Sequence, residues 1–213
     1  GFICAPSVLH VMKAQPAAIN IEWNVFSFTE GFLIYFKCAF IVAFALTLPV
    51  LLYQIWAFVT PALTKKEAKQ TLLYIPAAFL LFLLGVAFSY FVVFPMVIQF
   101  MSTINQSIGA TETYGMSHFF TLLFNIVLPI SVIFDMPVIV MFLTNLGILH
   151  PNTLRKTRKV SYFVLVVIGV SLTPPDIVSD LLIVIPLLLL FEISIICSSW
   201  MLARKNNREE ELM

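Results

Sequence analysis

The stretch Gln54-Ile-Trp-Ala-Phe-Val-Thr-Pro-Ala-Leu-Thr-Lys-Lys-Glu67 separates two long apolar segments of a 213-residue chain. It places two aromatic residues, a proline and two lysines close to a single carboxylate. Proline disfavours continuation of the helix before it, and tryptophan and lysine are common where a membrane meets water. We therefore predict a short loop at a membrane surface, with a membrane-spanning helix on either side.

The composition of the whole chain is that of a membrane protein. Hydrophobic residues make up 61% of the sequence and charged residues 11%, whereas a soluble domain has roughly 45–50% and about 25%. The apolar segments approach or exceed the ~20 residues that a helix needs to cross a bilayer, and they lack the weak ten-residue alternation of a membrane β-barrel. The predicted fold class is an all-α, polytopic helical membrane protein.

The apolar segments predict five spans, at about residues 31–59, 72–101, 118–149, 160–172 and 177–202. Residues 1–30 are predicted to form an extramembrane, periplasmic cap, and residues 203–213 a polar tail. The fourth segment reaches only about 20 Å as a helix. It crosses an ordinary bilayer only if the membrane thins beside it or water enters.

Lysine and arginine are distributed unevenly between the loops. Ten of the twelve lie at 65–69, 155–159 and 204–208, whereas the alternate loops at 102–117 and 173–176 have none. The positive-inside rule assigns the basic loops to the cytoplasm, so the C-terminus is predicted to be cytoplasmic. The apolar residues at the start of the chain are interpreted as the remnant of one missing span, which would make six in the intact protein.

The sequence has no pattern typical of catalysis or metal binding. Cys4, Cys38 and Cys197 are far apart and outside any C-x-x-C motif, and the three histidines fall in separate segments. There is no glycine-rich phosphate loop, and no basic tract with interleaved aromatic residues that would indicate nucleic-acid binding. We predict a protein that is not an enzyme and has no cofactor, metal or nucleic-acid partner.

Glu67 has two interpretations. Thr64 and Glu67 have the spacing of a capping box, in which the two residues bond each other's backbone at the start of a helix. Alternatively, a carboxylate beside aromatic rings can bind guanidinium groups, which pair with carboxylates and stack on rings. Trp56 and Phe58 fit either a membrane-interface belt or such a binding surface. Spacing alone leaves both interpretations open.

Besides Asp180, at the start of the last span, three charged residues lie within the predicted spans. Asp135 precedes Pro137 by two residues, and Pro137 is predicted to interrupt the third span. A carboxylate at the centre of a span costs ~2.5–3.5 kcal/mol. We favour a functional or partner-contacting role for Asp135 over internal hydrogen bonding. Lys37 is interpreted as snorkelling to the membrane surface. For Glu192 a functional role and a position near water in thinned lipid are both open.

Two further acids lie near the predicted outer surface. Asp176 belongs to a Pro-Pro-Asp turn, and Asp180 lies in the first turn of the helix that follows. Acids are common at both kinds of position for structural reasons. We favour a local structural role for both.

The sequence resembles the TatC family, the multi-spanning subunit of the twin-arginine protein translocase. The pattern Q-x-W-A-F-x-x-P-A-L-x-x-x-E at residues 54–67 matches the family's first cytoplasmic loop. Further motifs are Glu30-Gly-Phe32 followed by Lys37, Phe88-Ser-Tyr-Phe-Val-Val-Phe-Pro95, Phe134-Asp-Met-Pro137, Leu154-Arg-Lys-Thr-Arg158, Leu172-Thr-Pro-Pro-Asp176 and Phe191-Glu192. The family has six helices with both termini cytoplasmic and the last two helices short.

The resemblance implies that Glu67 helps to bind the twin-arginine motif of signal peptides. The surface around it would be shaped by Gln54, Trp56, Phe58 and Pro61. In the family this site is shared with an acidic motif in an N-terminal cytoplasmic segment, which is absent from this sequence.

The resemblance also implies contacts with partner subunits within the membrane. Asp135 stands where the family commonly has glutamate, and it would face a concave groove that receives the single-span TatA- and TatB-type partners. Val170, on the short fourth span, and Asp180 would be further contact positions. The other polar membrane positions that match the family are Lys37, Asp176 and Glu192.

We therefore predict a receptor and assembly subunit of the Sec-independent translocase, in the bacterial inner membrane. It would bind twin-arginine signal peptides of folded cargo, self-associate in a receptor complex and support export driven by the proton-motive force. One alternative is a secondary transporter or proton channel that uses Asp135 and Glu192 as relay carboxylates. A second alternative, an intramembrane hydrolase, needs an acid or nucleophile pair facing one cavity.

Overall fold

The structure, a computed structural model, describes residues 27–62, 71–109, 115–172 and 177–210. Nearly all of these residues are helical, as expected where lipid offers the backbone no hydrogen-bond partners. In chain order the helices are α1 (Glu30–Val59), α2 (Tyr74–Phe88), α3 (Phe94–Ser107), α4 (Met116–Phe134), α5 (Met136–Asn145), α6 (Pro151–Lys156), α7 (Arg158–Leu172) and α8 (Ile177–Glu210). The prediction of an all-helical membrane protein is confirmed.

Four segments of the described residues are long and apolar enough to cross a membrane. They are Glu30–Val59, Tyr74–Ser107, Met116–Asn145 and Asp180–Ala203. Helix α7 has 15 residues and a length of about 22 Å, so the fourth predicted span stays a prediction.

The expectation that the last two spans are both short holds for α7 only. Helix α8 has 34 residues, and its apolar segment Asp180–Ala203 has 24. The serines near its end do not stop the helix, because their hydroxyls bond carbonyls one turn back: Ser199 Oγ donates to the Ile195 oxygen at 2.9 Å.

A π-helical turn, Ser89–Val93, connects α2 to α3. The Phe94 N–H donates to the Ser89 carbonyl, five residues earlier. Pro95 follows directly and has no N–H of its own, so the wider turn lets the helical path continue past the proline. As a result α2 and α3 together form one apolar segment.

The chain divides into two compact units, of which the first contains the described residues of Gly1–Leu48 together with Val86–Ile130. Its core includes the buried rings of Phe94, Phe119 and Phe120. Phe119 meets Phe94 edge to face at 5.1 Å between ring centroids and Phe120 at 5.6 Å. Each such pair contributes roughly 0.5–1.5 kcal/mol beyond its buried area, so these rings hold α3 against the start of α4.

The second unit contains the described residues of Pro49–Gly85 and of Ser131–Met213. Here α5, α6 and α7 all pack against α8. Thr144 and Ser198 join α5 to α8 through buried hydroxyls 2.7 Å apart. A Cβ atom on Gly169 would lie 2.8 Å from Val184 Cγ2, so glycine is what allows α7 to approach α8 this closely.

Candidate functional site

Trp56 connects the two ends of the loop that carries Glu67. Its indole Nε1 donates to Thr71 Oγ1 at 3.2 Å, and Thr71 is fully buried just beyond the loop. At the other end, Thr60 Oγ1 donates to the Trp56 carbonyl at 2.8 Å. The Tyr53 ring lies 5.6 Å from the indole ring. The start and the end of the loop are therefore fixed next to each other.

The other residues predicted for this surface lie at the end of α1. Gln54 and Pro61 are exposed, and Phe58 is 86% exposed. Pro61 belongs to the 3₁₀ turn Thr60–Ala62 that ends the helix. Trp56 is only half-buried, so one side of its ring also remains accessible. An aromatic surface is thus present at the foot of the loop.

Glu67 itself lies outside the described residues, as does Thr64. The structure therefore tests neither the capping box nor the binding role of Glu67. What it provides is the fixed base from which the loop starts and to which it returns.

Asp135 occupies the break between α4 and α5. Its backbone carbonyl accepts hydrogen bonds from the N–H groups of Val138 and Ile139, both at 3.1 Å, and its own N–H donates to Val132 at 3.2 Å. Pro137 lacks an N–H and clashes with the carbonyl four residues before it, so the helix restarts at this point. The break predicted from Pro137 is confirmed.

The Asp135 side chain is buried within the second unit, with 6% of the residue exposed. Its Oδ1 atom is inaccessible to solvent and accepts no hydrogen bond from any described residue. A buried polar atom without a partner costs about 1–3 kcal/mol. The low exposure of Asp135 argues against a side chain that faces an open groove in the isolated chain. The unsatisfied Oδ1 atom, however, agrees with a residue that bonds another subunit.

Gly85 explains how closely α2 approaches the Asp135 break. A Cβ atom at this position would lie 2.8 Å from Phe134 Cβ and 2.9 Å from Ser131 Cα. Both distances are far below ordinary contact, and the Ser131 atom belongs to the backbone, which cannot rotate away. The contact between α2 and the end of α4 therefore requires glycine.

Lys37 is bonded to a neighbouring helix of the first unit. Its Nζ donates to Thr121 Oγ1, on α4, at 2.8 Å, and the pair is partly buried. This hydrogen bond replaces the snorkelling conformation that the sequence analysis expected. The reason is that a hydroxyl acceptor is available within the helix bundle.

Glu192 joins α7 to α8. Its Oε2 lies 2.9 Å from Arg158 Nη2, and its Oε1 accepts a hydrogen bond from the Tyr162 hydroxyl. The Tyr162 ring also meets the Phe191 ring edge to face. The side chains of Arg158 and Glu192 are 42% and 32% exposed, so the ion pair contributes at most about 1 kcal/mol. Both carboxylate oxygens of Glu192 are nevertheless engaged.

The remaining predicted positions lie on α7 and α8 or between them. Val170 is 39% exposed on α7, which leaves it accessible to lipid or to another helix. Asp180 is half-buried in the first turn of α8. Asp176 lies outside the described residues. Within the described ranges, no three histidine, cysteine or acidic side chains are grouped as a metal site requires.

Three residues of these sites were not predicted from the sequence: Thr71, Thr121 and Tyr162, which bond Trp56, Lys37 and Glu192. These pairs are separated by 15, 84 and 30 residues. No local pattern connects residues at such distances, so the sequence carries no signal for them.

Comparisons with known proteins agree with the geometry. The model of the TatC family, described as Sec-independent protein translocase protein, matches residues 1–186. The chain is 45% identical to the Sec-independent protein translocase protein TatC of Halalkalibacterium halodurans, over 92% of this chain and 77% of that protein. It is 36% identical to TatC of Escherichia coli K12, over 82% and 67% of the two chains.

Solved structures lead to the same conclusion. A crystal structure of the twin-arginine translocase receptor TatC in the detergent DDM superposes with a TM-score of 0.80, over 92% of this chain and 88% of that one, at 31% identity. A second crystal structure of TatC gives a TM-score of 0.78. With the family model covering most of its length, the chain belongs to the TatC family of Sec-independent protein translocase proteins.

Proposed function

We propose that this chain is the twin-arginine signal-peptide receptor and assembly subunit of its translocase. The observation that carries the proposal is the clamped loop: the Trp56–Thr71 hydrogen bond fixes the base of the segment that contains Glu67. Membership of the TatC family supports the same role, because the curated relatives are translocase proteins and the matching crystal structure is that of a receptor.

The chemistry of this surface suits a pair of arginines. A carboxylate such as Glu67 accepts two parallel hydrogen bonds from one guanidinium group, which an ammonium group cannot reproduce. A ring as exposed as Phe58 offers its face for a cation–π contact worth about 0.5–1 kcal/mol at an exposed site. Arginine would therefore be preferred over lysine at the same net charge.

Asp135 is proposed as a contact for the single-span TatA- or TatB-type subunits. Its Oδ1 atom has no hydrogen-bond partner among the described residues. Because this atom is inaccessible in the isolated chain, the side chain would turn outward when a partner binds. A donor on the partner helix would then recover the cost of the unsatisfied atom, and a polar side chain within a single span has the same need for a partner. Val170 and Asp180 would extend the contact surface.

We further propose that the chain lies in the bacterial inner membrane with its basic loops and C-terminus in the cytoplasm. The uneven distribution of lysine and arginine supports this orientation. Transport itself would draw on the proton-motive force and on self-association of the receptor complex.

The alternative of a proton channel has less support. It needs Asp135 and Glu192 as relay carboxylates, but both oxygens of Glu192 are engaged by Arg158 and Tyr162. Proton flux through the chain in liposomes, without any partner subunit, would favour this alternative.

The proposal is tested by peptide binding to the full-length protein in lipid nanodiscs. Signal peptides carrying Arg-Arg or Lys-Lys are compared on wild type, on Glu67→Gln and on the matched control Glu30→Gln. A lost charge-assisted hydrogen bond costs about 1.5–3 kcal/mol, which is roughly 10- to 100-fold in affinity. We expect this loss for the Arg-Arg peptide on Glu67→Gln only. Equal binding of both peptides to wild type would refute the receptor role.

A further inference from the structure

Two arginines of the second unit lie alongside α8. Arg155 Nη2 donates to Ser199 Oγ at 3.1 Å, and Arg158 Nη2 to Glu192 Oε2 at 2.9 Å. Their partners on α8 are seven residues apart, which is about 10 Å along the helix axis. The two guanidinium groups therefore follow one side of α8 over two turns.

The same part of α8 exposes large apolar side chains. Ile193 is 47% exposed, Ile196 64% and Trp200 58%. By helical rotation, Ile196 lies about 40° from Glu192 and about 60° from Ser199 around the helix axis. An exposed apolar side chain thus lies next to the two residues that hold the arginines, which are both to the same side of it around the helix axis.

This combination of groups fits a phospholipid better than other partners. The segment 150–160 contains four lysines and arginines and no acid, so its charge complements an anion. A soluble anion would bind the guanidinium groups but would not cover the exposed apolar side chains. An apolar partner helix would cover those side chains but would offer the guanidinium groups no further hydrogen-bond acceptor. A lipid supplies a phosphate for the arginines and an acyl chain for the apolar face, and tryptophan is common at the boundary between the two.

We propose that Arg155 and Arg158, together with Ile196 and Trp200, bind an anionic phospholipid. The phosphodiester accepts hydrogen bonds from the guanidinium groups, and an acyl chain lies along Ile196. Each guanidinium has five N–H donors, of which the described contacts use one; the Nε–H of Arg158 is buried, so its terminal N–H groups are the ones that a phosphate can reach. A lipid held here occupies the leaflet on the side of the basic loops.

The proposal is tested by quenching of Trp200 fluorescence with brominated lipids in bilayers. The signal of Trp200 is isolated as the difference between each protein and the same protein carrying Trp200→Phe. Brominated phosphatidylglycerol is compared with brominated phosphatidylcholine at equal mole fractions. A basic residue near an anionic lipid surface is worth about fivefold in binding, so we expect phosphatidylglycerol to quench preferentially.

The variants separate a defined site from general surface charge. Arg155→Gln with Arg158→Gln should abolish the preference, whereas Lys156→Gln with Lys159→Gln, which removes the same charge, should retain it. Arg155→Gln alone leaves the Arg158–Glu192 pair intact, so it reports on binding even if the double variant folds poorly, and should reduce the preference about fivefold.

Three results would overturn the proposal. Equal loss in the arginine and lysine variants would mean diffuse electrostatic attraction. Loss of the preference on addition of inorganic phosphate, but not of chloride at equal ionic strength, would mean a site for soluble anions. Equal quenching by both lipids, with Trp200 responding only to added partner subunits, would assign the surface to a protein.

Discussion

Replacing Gly85 by alanine tests the close contact between α2 and the end of α4, next to Asp135. The added Cβ would lie 2.8 Å from Phe134 Cβ and 2.9 Å from Ser131 Cα. Neither atom can move away by a change of rotamer, since one is a backbone atom and the other is attached directly to the backbone. The helices must separate, and Asp135, which directly follows Phe134, must move with them.

The magnitude follows from two opposing effects. Alanine stabilises a helix interior relative to glycine by about 0.8–1.0 kcal/mol, whereas overpacking costs about 1–3 kcal/mol. Gly31 is the matched control, because it also lies in a helix and a Cβ there meets no atom within 4 Å. The difference between Gly85→Ala and Gly31→Ala isolates the packing term, and we expect Gly85→Ala to be less stable by about 1–3 kcal/mol.

The assay is equilibrium unfolding of the purified protein in mixed micelles, followed by far-UV circular dichroism. Gly169→Ala should fall between the other two variants, because its nearest contact, Val184 Cγ2 at 2.8 Å, is a side-chain methyl that can shift. If Gly85→Ala proved as stable as Gly31→Ala, the close contact between α2 and the end of α4 would be contradicted.

Three further predictions concern individual side chains. Thr71→Val removes the acceptor of the Trp56 indole and should weaken binding of the Arg-Arg peptide severalfold in nanodisc titrations. Thr71→Ser keeps a hydroxyl acceptor and should retain the binding. Equal binding by both variants would exclude a role for the Trp56–Thr71 hydrogen bond. A double-mutant cycle on Arg158→Gln and Glu192→Gln should give a coupling of about 0.2–1 kcal/mol in unfolding experiments, and a coupling of several kcal/mol would contradict the partial exposure of both side chains. Asp135→Asn removes a carboxylate from a buried position, and an uncharged amide costs less to bury. The isolated chain should therefore be no less stable in unfolding experiments while co-purification of the partner subunits falls; unchanged co-purification would remove Asp135 from the partner interface.

The sequence predicted those features that depend on local composition. Apolar segments of about span length marked the positions of the long helices, because lipid demands continuous apolar helices. Pro137 marked the break at Asp135, because a proline disrupts the turn before it. The motif at residues 54–67 marked the loop, although the structure does not describe Glu67 itself.

The features that the sequence did not predict depend on contacts between distant residues. Lys37 bonds Thr121 across 84 residues, and this tertiary contact replaced the snorkelling that a single helix would favour. The length of the last helix was also misjudged: the family resemblance implied a short helix, whereas α8 has 34 residues, and serines near its end bond back to the helix. Such outcomes are set by packing between helices, which no local pattern encodes.

The central claim is that the loop around Glu67 recognises paired arginines. The most direct test is site-specific photo-crosslinking from position 67 of the full-length protein to signal peptides that carry Arg-Arg or Lys-Lys. If Glu67 recognises paired arginines, we expect crosslinks that require Arg-Arg, together with weaker peptide binding by Glu67→Gln in a parallel assay. Equal, weak crosslinking of both peptides and unchanged binding by Glu67→Gln would contradict it and would reduce Glu67 to a helix cap.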